Sequence, residues 1–194
     1  NGHAEAAISY TTSPVHDVEH FMRFARKAMD QGADSLAIKD MAGLLHPADA
    51  FELIEAIKRE FPDVELTLHS HCTNGLAVTS YIVGMLAGVD HLDTCYGPMA
   101  GSTAQPPAEI MSFFAKELGF QINVDMALAP KIDAELRQIR KELAEVDKDK
   151  DHFGNPWPTE PTAEMREKIK QAAALIQKRG RDSLNKAIAI IEDE

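Results

Sequence analysis

The sequence predicts an α/β protein that holds about the last five βα units of a (β/α)8 TIM barrel, followed by C-terminal helices. Short apolar segments of strand character alternate with amphipathic helical segments, roughly every 25 to 30 residues, which indicates parallel strands. The glycine fingerprint of an open, doubly wound sheet is absent from the sequence. Polar residues instead cluster where successive strands end, and that rim carries the active site in barrels.

These rim residues follow four of the five expected strands. They are Tyr10, Thr11, Thr12, Lys39, Asp40, His69, His71, Asp93 and Thr94.

The first unit begins with a strand over 6–12, closed by Ser13 and Pro14. Asp17 is expected to cap the following helix, whose apolar residues recur with i, i+3, i+4, i+7 spacing. The second unit has a buried strand over 35–40 and a helix that starts at Pro47, because proline is favoured in the first helical turn.

The third expected strand runs through 64–71 and carries His69 and His71. A nearly all-apolar helix over 75–86 follows it, and 89–95 reads as the next strand. A loop over 97–107 and a helix over 108–118 precede a last short strand at 120–124.

The sequence predicts three segments along the chain. We expect barrel units over 1–128, a post-barrel helix with heptad-like spacing over 129–153, and a Pro-rich linker with amphipathic helices over 154–194. Eight strands close a barrel and only five are expected here, so the chain is expected to be truncated at its N-terminus. It would then be a fragment or pair with a complementing chain, because half a barrel exposes two strand edges.

The composition of the chain limits the partners and the cellular location that we expect. The 194 residues are 44% hydrophobic and carry a net charge of −11, which argues against nucleic acid and anionic membranes as partners. The two cysteines are Cys72 and Cys95, so a disulfide framework is not expected. We therefore expect a cytoplasmic location. Cys72 follows His71 directly; we interpret it as a packing residue on the opposite face of the strand.

His69 and His71 are the first chemical signal. Side chains at i and i+2 of a strand leave the same face, so the two imidazoles should project together near the strand's end. Such a pair can bind one divalent metal, although two unrelated polar residues at a loop entrance would give the same pattern.

Lys39 ends the strand that precedes the histidine strand, which places it within reach of the same metal. A buried lysine loses its charge readily, and the neutral amine can add CO2 to become a carbamate, an oxygen ligand. A Schiff-base lysine and a lysine that merely reaches solvent are the alternatives.

Three segments, 7–16 (AISYTTSPVH), 38–45 (IKDMAGLL) and 68–77 (LHSHCTNGLA), resemble the carboxyltransferase domain of biotin-dependent enzymes. The similarity is greatest to the oxaloacetate decarboxylase α subunit, the carboxyltransferase subunit of pyruvate carboxylase and the transcarboxylase 5S subunit. It covers about residues 4–145.

The resemblance implies a barrel with a metal at its rim, ligated by His69, His71 and a carbamylated Lys39. Asp40 would orient this set from a second shell. The segment 100–106 (AGSTAQP) resembles the loop that bears the family's catalytic threonine, which implies that Thr103 moves a proton between biotin and the enolate of pyruvate. Substrate-binding residues are not identified.

The implied reaction is carboxyl transfer between biotin and a 2-keto acid, pyruvate or oxaloacetate, with Zn, Mn or Co as the divalent metal. Biotin would arrive on a separate carrier domain, because the sequence has no Met-Lys-Met biotinylation site. The family's first strand, with its aspartate ligand and its keto-acid-binding arginine and glutamine, has no match here. Other subunits would supply any membrane association.

Two alternatives stay open. One is a metal-dependent acyl-CoA lyase or synthase of the hydroxymethylglutaryl-CoA lyase type, which shares a His-x-His rim. The other is an inactive half-barrel that serves only as a fragment or subunit.

Overall fold

The structure, a computed structural model, describes residues 2–143 and five further positions, which are Glu167, Lys170, Gln171, Ala174 and Lys186. The expected linker and helices of 154–194 lie outside these residues except at those five positions. Residues 144–153, the second part of the expected post-barrel helix, also lie outside the described residues.

Within 2–143, four strands form one parallel sheet in the order β1-β2-β3-β4. They are β1 (Glu5–Ser9), β2 (Ser35–Asp40), β3 (Leu66–Ser70) and β4 (His91–Leu92). Each strand pairs with the next one along the chain in parallel register. This sequential order is the one a barrel requires, because a doubly wound sheet reverses its strand order at a switch point.

Within the same range, 2–143, five α-helices follow or connect these strands. They are α1 (Val18–Asp30), α2 (Pro47–Glu60), α3 (Ala77–Ala87), α4 (Ala108–Glu117) and α5 (Ala129–Leu143). The expected helix starts are confirmed at α1 and α2: the Asp17 carboxylate accepts a hydrogen bond from the His20 N–H, and Pro47 opens α2.

The core lies between one face of the sheet and the helices. Leu36, Ile38, Leu66 and Leu68 are fully buried on that face, and α1, α2 and α3 pack there with apolar side chains such as Ile54. The opposite face carries polar and small residues. These are Glu5, Ala7, Ser9, Ser35, Ala37, Lys39, Thr67 and His69.

The expected strand at 120–124 is wrong. These residues are irregular, and the Phe120 N–H donates to the Ala115 carbonyl at 2.8 Å, which closes the end of α4 rather than a sheet ladder. β4 is only two residues long, so it offers little edge for a fifth strand to pair with. The described sheet therefore contains four strands rather than five.

The heptad-like spacing of the post-barrel segment does form a helix. α5 begins at Ala129, as expected, and its apolar residues divide into two groups. Ile132 and Leu136 are half-buried, whereas Ile139 and Leu143 are 44% and 47% exposed.

None of the helices in the described part of the chain has the length and apolar composition of a membrane span.

Candidate metal centre

β3 and the turn that follows it bring His69 and His71 together. The two Nε2 atoms are 3.1 Å apart, and the ring centroids are 5.1 Å apart. His69 is the penultimate residue of β3, and His71 lies just beyond the strand in extended conformation. The expected convergence of the two imidazoles is therefore present in the structure.

The other ring nitrogen of each histidine has its own partner. His69 Nδ1 lies 2.8 Å from Asp93 Oδ2, and His71 Nδ1 contacts the Thr103 carbonyl oxygen. A carboxylate and a carbonyl only accept hydrogen bonds, so both rings carry their proton on Nδ1. In the neutral form of each ring, Nε2 is then left with a lone pair, which is the form that binds metal.

This arrangement fits a divalent metal. With Zn–N bonds of about 2.0–2.1 Å in tetrahedral geometry, two ligating nitrogens are about 3.3 Å apart, close to the observed separation. Partners at Nδ1 that fix the ring orientation are the usual support of metal-binding histidines. Among the described residues, no three His, Cys, Asp or Glu side chains are gathered as a metal site.

Lys39 lies on β2, the strand next to the one that carries His69. It is the register partner of His69 across the β2–β3 ladder, and register partners in a parallel pair leave the sheet on the same face. Lys39 is half-buried. The structure thus brings Lys39 and His69 side by side, as the sequence predicts.

Asp40 lies on the other face of β2, among the core residues, and is fully buried. Its carboxylate accepts hydrogen bonds from the Leu44 and Leu45 N–H groups and from the Ser70 hydroxyl, at 2.8–2.9 Å. These bonds fix the loop after β2 and the end of β3. The orientation of the histidine rings comes from Asp93 and the Thr103 carbonyl, and a direct role of Asp40 in orienting ligands stays a prediction.

The loop that Asp40 holds reaches the histidine turn at Gly43. This glycine has φ +69°, and a Cβ added there would lie 2.5 Å from the His71 carbonyl oxygen. Only glycine permits this approach, because a side chain would meet the backbone of His71 and φ is unfavourable for other residues.

Thr103 lies beside the centre, as expected. Its side chain is exposed, while its carbonyl holds His71. Ser102, immediately before it, has φ 51°, an uncommon conformation for a non-glycine residue that is frequent at functional sites.

Sequence reasoning did not assign two residues whose side chains contact the histidine rings. Asp93 stood only among the rim residues, and Gln105 only inside the loop motif. The Gln105 Nε2 atom lies 3.2 Å from both His69 Nε2 and His71 Nε2, and its Oε1 accepts from the Cys95 thiol at 3.2 Å. The signal for Gln105 was its place two residues after Thr103, in a loop already expected at the rim.

A third unassigned residue, Tyr81, supports the site from below. Its hydroxyl accepts from the Ser70 N–H at 2.9 Å and donates to the Asp93 carbonyl at 2.8 Å, which ties β3 to β4. The residue is fully buried, and burial raises the pKa of the phenol well above its ordinary value. An isolated tyrosine in an apolar helix gives no sign of this from sequence.

Cys72 does not lie on the strand, which ends at Ser70. It opens a short 3-10 turn instead, so the expected position on the opposite strand face is wrong. Burial, with a smaller contribution from Cys95, raises the pKa of the Cys72 thiol to about 11.

A cleft of about 740 Å³ runs along β4 and reaches Asp93 and Cys95, which leaves room for a ligand beside the centre.

Fold and site together define part of a (β/α)8 barrel with a metal-type histidine pair at the carboxyl ends of its strands. The chain belongs to the HMGL-like family, whose model matches residues 3–140.

Two relatives within this family have sequences similar to that of the chain. It is 38% identical over 144 residues to a pyruvate carboxylase subunit of Methanothermobacter thermautotrophicus, a match that covers 74% of this chain and 25% of that protein. It is 37% identical over 139 residues to the methylmalonyl-CoA carboxyltransferase 5S subunit of Propionibacterium freudenreichii, covering 71% and 28%. The chain thus spans about a quarter of the length of these two relatives.

Solved structures that resemble this chain come from the same class of protein as its sequence relatives. The carboxyl transferase domain of Rhizobium etli pyruvate carboxylase with pyruvate aligns with a TM-score of 0.70 at 26% identity, over 99% of this chain and 33% of that one. The same domain with pyruvate and biocytin aligns with a TM-score of 0.69. The resemblance to a carboxyltransferase domain of biotin-dependent enzymes is confirmed, and so is the partial barrel.

Proposed function

We propose that this chain is the metal-binding part of a carboxyltransferase that moves a carboxyl group between biotin and a 2-keto acid, pyruvate or oxaloacetate. One observation carries the proposal: the Nε2 atoms of His69 and His71 converge to 3.1 Å, with Lys39 beside them in register. The relatives named as carboxylases and as a carboxyltransferase support the reaction class.

In this proposal His69, His71 and a carbamylated Lys39 hold a divalent metal, Zn, Mn or Co. When bound, such a metal acts as a Lewis acid that polarises the keto oxygen of the substrate and stabilises its enolate. The Lys39 amine, when neutral, adds CO2 and releases a proton to form the carbamate. Asp93 and the Thr103 carbonyl keep both imidazoles in the tautomer that leaves Nε2 unprotonated.

Thr103 is the proposed proton carrier. Its side chain is exposed, and its backbone carbonyl contacts His71, so the residue adjoins the proposed metal site. Carboxyl transfer to or from biotin requires one proton to move between biotin and the keto acid, and a hydroxyl can both accept and donate it.

The partners follow from the same proposal. Biotin comes on a carrier domain of another segment or subunit, and the relative solved with pyruvate and biocytin supports a keto acid and a biotin group as the two substrates. Because the chain spans about a quarter of its relatives, a complementing segment or chain completes the barrel. A cytoplasmic location stays a prediction.

The test is His69→Ala, with His91→Ala as a matched control, since His91 is an exposed histidine on β4. We expect His69→Ala to lose bound metal by elemental analysis and carboxyl transfer together, while His91→Ala keeps both. Unchanged metal content in His69→Ala contradicts the ligand assignment.

The acyl-CoA lyase alternative shares the matched family model, so substrate dependence must separate the two. Activity that requires biotin and ignores a coenzyme A thioester supports carboxyl transfer. The opposite dependence supports the lyase, and no activity in an assembly with all segments present supports the inactive-fragment alternative.

A further inference from the structure

Three nitrogen atoms form a nearly equilateral triangle at the centre. His69 Nε2, His71 Nε2 and Gln105 Nε2 are separated by 3.1, 3.2 and 3.2 Å. When both rings are neutral and donate their Nδ1 protons to Asp93 and Thr103, both Nε2 atoms carry lone pairs. Two such lone pairs facing each other repel unless a donor lies between them.

Gln105 is the donor that fits. Its side-chain amide has two N–H groups, one for each imidazole, and no other side-chain type in the loop offers two hydrogens on one atom. The Cys95 thiol donates to the Gln105 carbonyl oxygen at 3.2 Å, which turns the NH2 end of the amide toward the histidines. The amide therefore occupies the same two lone pairs that a metal would use.

The backbone of Gln105 is equally tied to the loop that carries Thr103. The Gly101 N–H donates to the Gln105 carbonyl at 3.0 Å, and the Ala104 N–H donates to the Gly101 carbonyl at 2.8 Å. Displacing the Gln105 side chain thus acts on one end of a short hydrogen-bonded loop whose other residues include Thr103.

We propose that Gln105 is a positioning residue that couples metal occupancy to the Thr103 loop. Without metal, its amide holds the two imidazoles in a converged arrangement and anchors the loop to them. With both lone pairs taken by a metal, the amide would be released, and the loop would lose this contact while keeping the one between the Thr103 carbonyl and His71. This inference rests on the metal site of the proposed function.

The experiment uses Gln105→Met in the 194-residue chain, because methionine keeps the length of the side chain and removes the two amide donors and the amide carbonyl oxygen. Gln121→Ala is the control, since Gln121 is exposed in the segment after α4. Zn²⁺ and Co²⁺ affinities are measured by competition with a chelator. Hydrogen exchange of residues 100–105 is measured with and without Zn²⁺.

We expect Gln105→Met to bind either metal about tenfold more tightly, because two hydrogen bonds need not be broken first. Its loop should exchange rapidly in both states, whereas wild type and Gln121→Ala should become faster only when Zn²⁺ is added. Affinity equal to or weaker than wild type, or a loop in Gln105→Met that still responds to Zn²⁺, overturns the inference. Should Gln105→Met fail to fold, Gln105→Asn serves instead, because its shorter amide does not span both imidazoles.

The outcome is distinguishable from failure of the metal site itself. Loss of metal in His69→Ala with no change in Gln105→Met rejects the coupling alone. Metal retained in His69→Ala rejects the proposed site, and the coupling with it.

Discussion

Gly43→Ala tests how the loop after β2 shapes the histidine turn. The new Cβ would lie 2.5 Å from the His71 carbonyl oxygen, well inside van der Waals contact, and the residue would keep φ +69°. The left-handed conformation costs about 1–2 kcal/mol for a residue with a side chain. Overpacking against a backbone atom adds roughly 1–3 kcal/mol. We expect a loss of about 2–5 kcal/mol in the free energy of unfolding.

Gly32→Ala separates the two contributions. Gly32 also has positive φ, +90°, but no heavy atom lies within 4 Å of a Cβ built there. It should therefore lose only the conformational part, about 1–2 kcal/mol. Urea unfolding of both variants and of wild type measures the difference.

Metal affinity completes this test. If Gly43 positions His71, Gly43→Ala should bind Zn²⁺ at least about tenfold more weakly, the loss typical when groups that orient metal ligands are disturbed. Gly32→Ala should bind Zn²⁺ as wild type does. Equal unfolding free energies and equal metal affinities in the two variants would refute the reasoning.

Three further predictions follow from the same contacts. Lys39→Arg should abolish carboxyl transfer while leaving the unfolding free energy within about 1 kcal/mol, since arginine keeps the charge but forms no carbamate; a fully active variant rejects the carbamate. Asp93→Asn should lower metal affinity about 10–100-fold in chelator competition, because His69 loses its carboxylate partner; unchanged affinity would show that the contact is dispensable. Tyr81→Phe should cost about 1–3 kcal/mol in urea unfolding, because the buried Ser70 N–H loses its acceptor; a neutral substitution would mean that β3 and β4 do not need this link.

Local patterns predicted most of the described fold. The strand at 35–40 and the starts of α1 and α2 were confirmed, because capping, proline position and apolar periodicity all act within a few residues. The strand expected at 120–124 was wrong for a different reason. Strand residues need a partner edge, and the two-residue β4 is a property of the assembled sheet rather than of the segment.

The candidate site divides in the same way. His69, His71 and Lys39 were predictable because strand alternation and neighbouring βα units fix their positions. Asp93 and Gln105 were not assigned, since their roles depend on where a carboxylate and an amide land after the chain closes around the histidines. Asp40 was expected to orient the ligands: its place on the core face follows from alternation, but its three hydrogen-bond donors come from a loop and from β3.

The most direct measurement is anomalous X-ray scattering at the Zn or Co absorption edge, from crystals of the metal-loaded chain. The account predicts one anomalous peak within bonding distance of His69 Nε2, His71 Nε2 and the Lys39 side chain. A peak elsewhere, or metal-loaded crystals with no peak between these three residues, would contradict it.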